Sequence, residues 1–113
     1  MAKAQRLDRL DALRVSLEAE YQSAFIEALR RAAAGSWGLF DHNSDRWTRA
    51  NWQPTVTNLY DLGEEIDLKR EALGLSPFAM HQEFLASRGP VSSNAPGEPK
   101  QAKAWLERLG ESL

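Results

Sequence analysis

A chain of 113 residues suffices for one domain that buries roughly two-thirds of its unfolded surface, and with no cysteine that core forms without disulfides. The absence of cysteine also excludes thiolate zinc sites and cysteine nucleophiles. The 14 basic and 16 acidic residues are interspersed, at a formal net charge of −2, so no stripe of one sign follows a phosphate backbone and nucleic acid is not an expected partner.

The first 34 residues contain neither glycine nor proline. Leu7, Leu10, Leu13, Leu17, Tyr21, Ala24, Phe25, Ala28, Leu29 and Ala32 recur there at the three-and-four spacing of a single helix face. The pattern predicts a long helix over about 4–34. From Tyr21 onward it is apolar on nearly every side, which predicts burial. Before Tyr21 a narrow leucine stripe runs between charges of both signs, the pattern of a solvated helix. At about 1.5 Å per residue this helix spans about 46 Å, whereas a compact globule of this size has a diameter of about 34 Å. It must overhang its own domain, so residues 1–20 are expected to pair with a second chain in a homodimer through Leu7, Leu10, Leu13 and Leu17. The alternative is that the C-terminal helix folds back over the stripe.

Gly35 reads as the C-cap. The next stretch places three of the four tryptophans, Trp37, Trp47 and Trp52, within sixteen residues together with Phe40, His42, Arg46 and Arg49. Ser44 suits an N-cap, which predicts a short helix over about 45–52, and Pro54 suits the first position of another. Val56, Leu59, Leu62, Gly63, Ile66 and Leu73 then form the apolar face of a second long helix over about 54–73, ended by Gly74. Gly63 costs about 1 kcal/mol relative to alanine inside a helix, so its presence predicts a close backbone approach, expected against the alanines of the first helix.

Ser76 and Pro77 read as N-cap and first position of a third helix over about 77–88, with Phe78, His81, Phe84 and Leu85 inward. Residues 89–99 hold three prolines and two glycines and form a loop, which is long for a compact domain. A last helix over about 99–109 turns Ala102, Trp105, Leu106 and Leu109 inward and ends at Gly110. No stretch alternates with period two. The expected fold is therefore all-α: one helical domain over 1–113, a small antiparallel bundle with long helices over 4–34 and 54–73 and shorter ones over 45–52, 77–88 and 99–109. Ile26, Leu29, Leu59, Ile66, Phe84, Leu85 and Leu106 are expected in its core.

For function the pattern offers less. No apolar run reaches the roughly 18 residues of a membrane span and the N-terminus lacks an apolar signal core, so neither a membrane partner nor export is expected, and a soluble cytoplasmic protein is. Asp41, Asn43 and Asp45 imitate the opening of a calcium loop, but the glycine and glutamate it requires further on are replaced by Arg46 and Trp52. These side chains read instead as turn formers. No Glu-x-x-His pair, phosphate loop, nucleophile elbow or dinucleotide fingerprint occurs, so catalytic residues, metal and cofactor are not expected.

The candidate binding residues are Trp37, His42, Arg46, Trp47 and Arg49, with His81 from the third helix. Trp and Arg dominate binding energetics at interfaces, and Arg46 and Arg49, one turn apart, could clamp a carboxylate or phosphate. The competing reading is a satellite core closing one end of the bundle. The function expected is that of a small non-catalytic dimeric interaction or regulatory protein, with another protein as a further candidate partner. The alternative is a small-ligand-binding protein or enzyme with its pocket at the Trp-rich segment 37–52.

Overall fold

The computed structural model describes residues 2–36, 38–40, 46–88 and 98–111, with side chains from Gln5 onward. Four helices carry the chain: α1 Ala2–Ala33, α2 Arg46–Ala72, α3 Ala79–Ser87 and α4 Glu98–Arg108. They pack on one another as a small helical bundle, and no strand occurs among the described residues. The all-α expectation holds, and so do the three glycine stops. At the end of α1, Gly35 takes φ +112° and donates its N–H to the Ala32 carbonyl at 3.0 Å, while Ser36 donates to Arg31 at 3.4 Å. This is the Schellman arrangement, in which a left-handed residue satisfies the last carbonyls of a helix. Gly74 and Gly110 close α2 and α4 with the same pair of bonds.

The second half of α1 forms the axis of the core. Tyr21, Phe25, Leu29 and Ala32 are fully buried there. α2 lies antiparallel against it, tied by Arg31 to Thr55 and the Asn51 carbonyl at one end and by the Glu18–Arg70 ion pair, 2.9 Å, at the other. α2 contributes Trp52, Val56, Leu59, Leu62 and Ile66. On the other side α4 supplies Ala102, Trp105 and Leu106, with the Trp105 ring edge-on to Phe25 at 5.0 Å. α3 packs on α2 and sends His81 and Phe84 across to the rings of Tyr21 and Phe25. Of the residues expected in the core, Ile26, Leu29, Leu59, Ile66, Phe84 and Leu106 are buried. Leu85 is only half-buried, because the inward arc of this short helix centres on His81 and Phe84.

Three expectations about local structure are corrected. No separate helix over 45–52 precedes a second one opened by Pro54; α2 runs unbroken from Arg46 to Ala72 with Pro54 inside it. A mid-helix proline costs about 3 kcal/mol. Here Trp52 and Val56, on either side of it, are both locked into the core. Tertiary packing overrides the local breaker. Second, α3 starts at Ala79, beyond Pro77, and its N-cap residue Phe78 makes no side-chain cap. Asp67 of α2 does that work from a distance, accepting the Phe78 N–H and the Gln82 side-chain amide at 2.8 Å each. Third, the close approach at Gly63 exists, but its partner is α3. A β-carbon there would overlap the His81 ring.

The first half of α1 extends past this core. The radius of gyration is 15.9 Å and the long axis 57 Å against 29 and 21 Å across, where a compact chain of this length has a radius of gyration near 13 Å. Leu7 and Leu13 are 42% and 55% exposed, Leu10 is half-buried, and Leu17 leans on the core edge. α4 meets α1 through Phe25 and Arg30, well beyond the leucine stripe. No described helix is long and apolar enough to cross a membrane.

Candidate functional site

Two buried polar knots and one surface groove hold the chemistry of the described residues. The first knot lies where α1, α2 and α3 meet. The absence of a side chain at Gly63 lets the His81 ring seat against α2, and His81 Nδ1 then lies 2.9 Å from the Tyr21 hydroxyl. Burial pushes the Tyr21 phenol up, with the Asp67 and Tyr60 charges adding to the shift. Burial also pushes the His81 imidazole down, opposed by Asp67 and Glu64. Both shifts favour the neutral forms, so phenol and imidazole share one hydrogen bond, its direction set by the ring tautomer. The Phe78 and Tyr60 rings stand edge-on to Tyr21 and His81 respectively. His81 is only 3% exposed. Enclosed in this way, the pair orders the junction of three helices and presents no open face to a substrate.

The second knot closes the other end of the bundle. Glu98 opens α4 and is 1% exposed; its carboxylate accepts the backbone N–H groups of Gly38 and Phe40, one on each oxygen. The segment after α1 is thus pinned to the N-terminus of α4, where a negative charge also suits the helix dipole. Leu39 and Phe40 enter the core. Gly38 lies so close to the Trp52 ring that a β-carbon would strike it, and Trp52 Nε1 donates to Ser36 Oγ at 3.0 Å.

The groove runs between the first half of α2 and the C-terminal end of α3. It encloses about 300 Å³ and is lined by Gly38, Arg49, Gln53, Val56, Tyr60 and Arg88 over the buried Trp52. Arg88 is held in place: Nε donates to the Leu39 carbonyl at 2.9 Å and one terminal nitrogen lies 3.4 Å from the Tyr60 hydroxyl. Its guanidinium stands 5.8 Å from the Tyr60 ring centre and 6.0 Å from that of Phe84. Arg49, on the opposite wall, is exposed and pairs with no described residue.

The described members of the sequence-derived set take different surroundings. Trp37 and His42 lie outside the described residues, as do Asp41, Asn43, Asp45 and loop residues 89–97. Trp52 is core, Trp47 is 84% exposed on the first turn of α2, Arg46 and Arg49 are exposed on one α2 face, and His81 is sequestered with Tyr21. Of the described candidates, Arg49 alone reaches the groove. Sequence reading missed Tyr21, Tyr60, Arg88 and Glu98. Tyr21 and Glu98 carry a faint trace, a hydroxyl inside an apolar stripe and an acidic residue beside Pro99, but their partners lie about 60 residues away. Among the described residues no group of His, Asp or Glu gathers as metal ligands would. No protein-family model matches this chain, and no curated protein or solved structure is significantly similar to it.

Proposed function

We propose that this protein is a small non-catalytic interaction protein that pairs with a second copy of itself through the first half of α1, in the cytoplasm. The overhang carries the reading: a helix of about 48 Å continues past the core with Leu7 and Leu13 exposed on a stripe shared with Leu10 and Leu17. An exposed leucine stripe without a partner is a cost in water that association removes. Charge order supports a second copy as the partner. Lys3, Arg6 and Arg9 outweigh Asp8 and Asp11 early in the helix, and Glu20 comes late with Glu18 already paired to Arg14 and Arg70, so antiparallel pairing sets the basic start against Glu20 of the other copy. The pairing is isologous, so it closes at two copies.

The test uses Leu7→Glu together with Leu13→Glu. Both positions are exposed within one chain, so the added charges leave the core intact while opposing the pairing. Light scattering is expected to give twice the chain mass for wild type at tens of micromolar and the single chain mass for the double variant, with equal helicity by circular dichroism. A wild type that is monomeric at that concentration overturns the proposal.

A further inference from the structure

The groove between α2 and the end of α3 lies at the far end of the bundle from the α1 overhang, and what it binds is independent of the pairing proposed above. Among the described residues its lining offers two guanidinium groups, one amide and one phenol, and no carboxylate side chain, in a chain whose formal net charge is −2. The two cations come from different elements. Arg49 projects from α2, while Arg88 is fixed at the end of α3 by the Leu39 carbonyl and the Tyr60 hydroxyl. Arg88 still has N–H groups to donate after those two bonds, and none of Arg49's is taken by a described residue.

We propose that this groove binds a phosphate group, as the free ion or carried by a small ester. One braced and one exposed positive charge, with no acid among the described lining residues, call for a ligand with two negative charges, and a phosphate monoester approaches that near neutral pH. A planar carboxylate carries one charge and is satisfied by the fork of a single arginine. A tetrahedral oxyanion uses donors from several directions, and the groove's lining carries Arg49, Tyr60 and Arg88 from two elements, with one N–H of Gln53 left beside its bond to Thr57. At about 300 Å³ the groove is at the small end of ligand sites, which limits the rest of the ligand to a few atoms beside the Tyr60 ring.

Calorimetric titration of the full chain with inorganic phosphate, phenyl phosphate and benzoate, at ionic strength held constant with chloride, tests this. Saturable binding of one or both phosphate probes is expected, and whichever is tighter identifies the free ion or the ester as the natural form. Arg49→Gln, at an exposed position that leaves helicity unchanged, is expected to weaken binding about tenfold or more, the scale of one charge-assisted bidentate contact. Arg46→Gln makes the same charge change one turn away, outside the groove, and is expected to retain wild-type binding. Benzoate binding as tight as that of the phosphates overturns the assignment of phosphate. No saturable binding, or equal loss in the Arg46 and Arg49 variants, overturns the site.

Discussion

The two halves of α1 share one helical geometry and one apolar face, yet one is enclosed and the other bare. From Tyr21 to Ala33 the face meets α2, α4 and the side chains of α3, and its large residues are wholly buried. Before that point the last tie to another element is Glu18, shared between Arg14 at 2.7 Å and Arg70 at 2.9 Å. N-terminal to Glu18 no described side chain of α1 is hydrogen-bonded outside its own helix; Arg14 bonds only Asp11 and Glu18. A leucine therefore has no fixed worth along this helix. Its contribution is set by the elements that cover it, and three of them crowd onto the second half.

The largest effect that follows is at Leu29, fully buried at the centre of the enclosed half. Leu29→Ala is expected to cost about 2 to 5 kcal/mol, the lost transfer energy plus a cavity that the surrounding rings cannot fill. The same truncation at Leu13, 55% exposed, is expected to change the stability of the folded chain by no more than about 0.5 kcal/mol while weakening self-association. Urea melts of both variants at low protein concentration measure the contrast. Comparable losses at the two positions would erase the distinction between the halves.

Gly63 sits at the border between those regions, where the His81 ring of α3 reaches in to Tyr21. Alanine favours a helix over glycine by about 1 kcal/mol, so on local grounds Gly63→Ala ought to stabilise α2. The added methyl group would overlap an enclosed ring that is hydrogen-bonded to Tyr21, and overpacking of this kind costs about 1 to 3 kcal/mol. The net expectation is a loss, accompanied by weakened packing of α3, which thermal melts and near-ultraviolet circular dichroism would record. A gain in stability would mean that the ring moves aside freely and that the contact does not define the border.

What could be read from the sequence separates along the same line as local and distant causes. Helix type, the glycine stops and most of the core were legible, because a repeating apolar face and a left-handed cap are written within a few residues. Pro54 misled for the converse reason. Its local meaning is a helix start, and only Trp52 and Val56, anchored in a core built by other elements, hold the helix through it. Asp67 capping α3, Glu98 receiving the Gly38 and Phe40 amides and Arg88 bracing Leu39 all act across 11 to 60 residues of chain, and no spacing rule points from one partner to the other. The surroundings of the tryptophans were the least legible. The sequence crowds three tryptophans together, whereas folding sends Trp52 inward and Trp47 outward and assembles the arginine groove from α2 and the end of α3.

The smallest expected effect is a pH dependence that belongs to the border knot alone. Burial lowers the His81 pKa below its ordinary value of 6.5 in the folded chain, so the unfolded chain takes up a proton first as pH falls. The folded state then binds fewer protons than the unfolded state. This contribution to stability is fully present above pH 6.5 and is lost as pH drops from there through the folded value, at no more than about 1.4 kcal/mol per pH unit for one group. Protonation also makes both ring nitrogens donors, so the Tyr21 hydroxyl, 2.9 Å from Nδ1, can then only accept from it. Urea midpoints of wild type and His81→Gln, measured between pH 8 and pH 5.5, isolate the term because His42 and the carboxylates are common to both. Wild type should lose more stability than the variant over that range, with the excess beginning near pH 6.5. Parallel curves would mean that His81 is as readily protonated folded as unfolded, and the closed knot between the two halves of α1 would then be open to water.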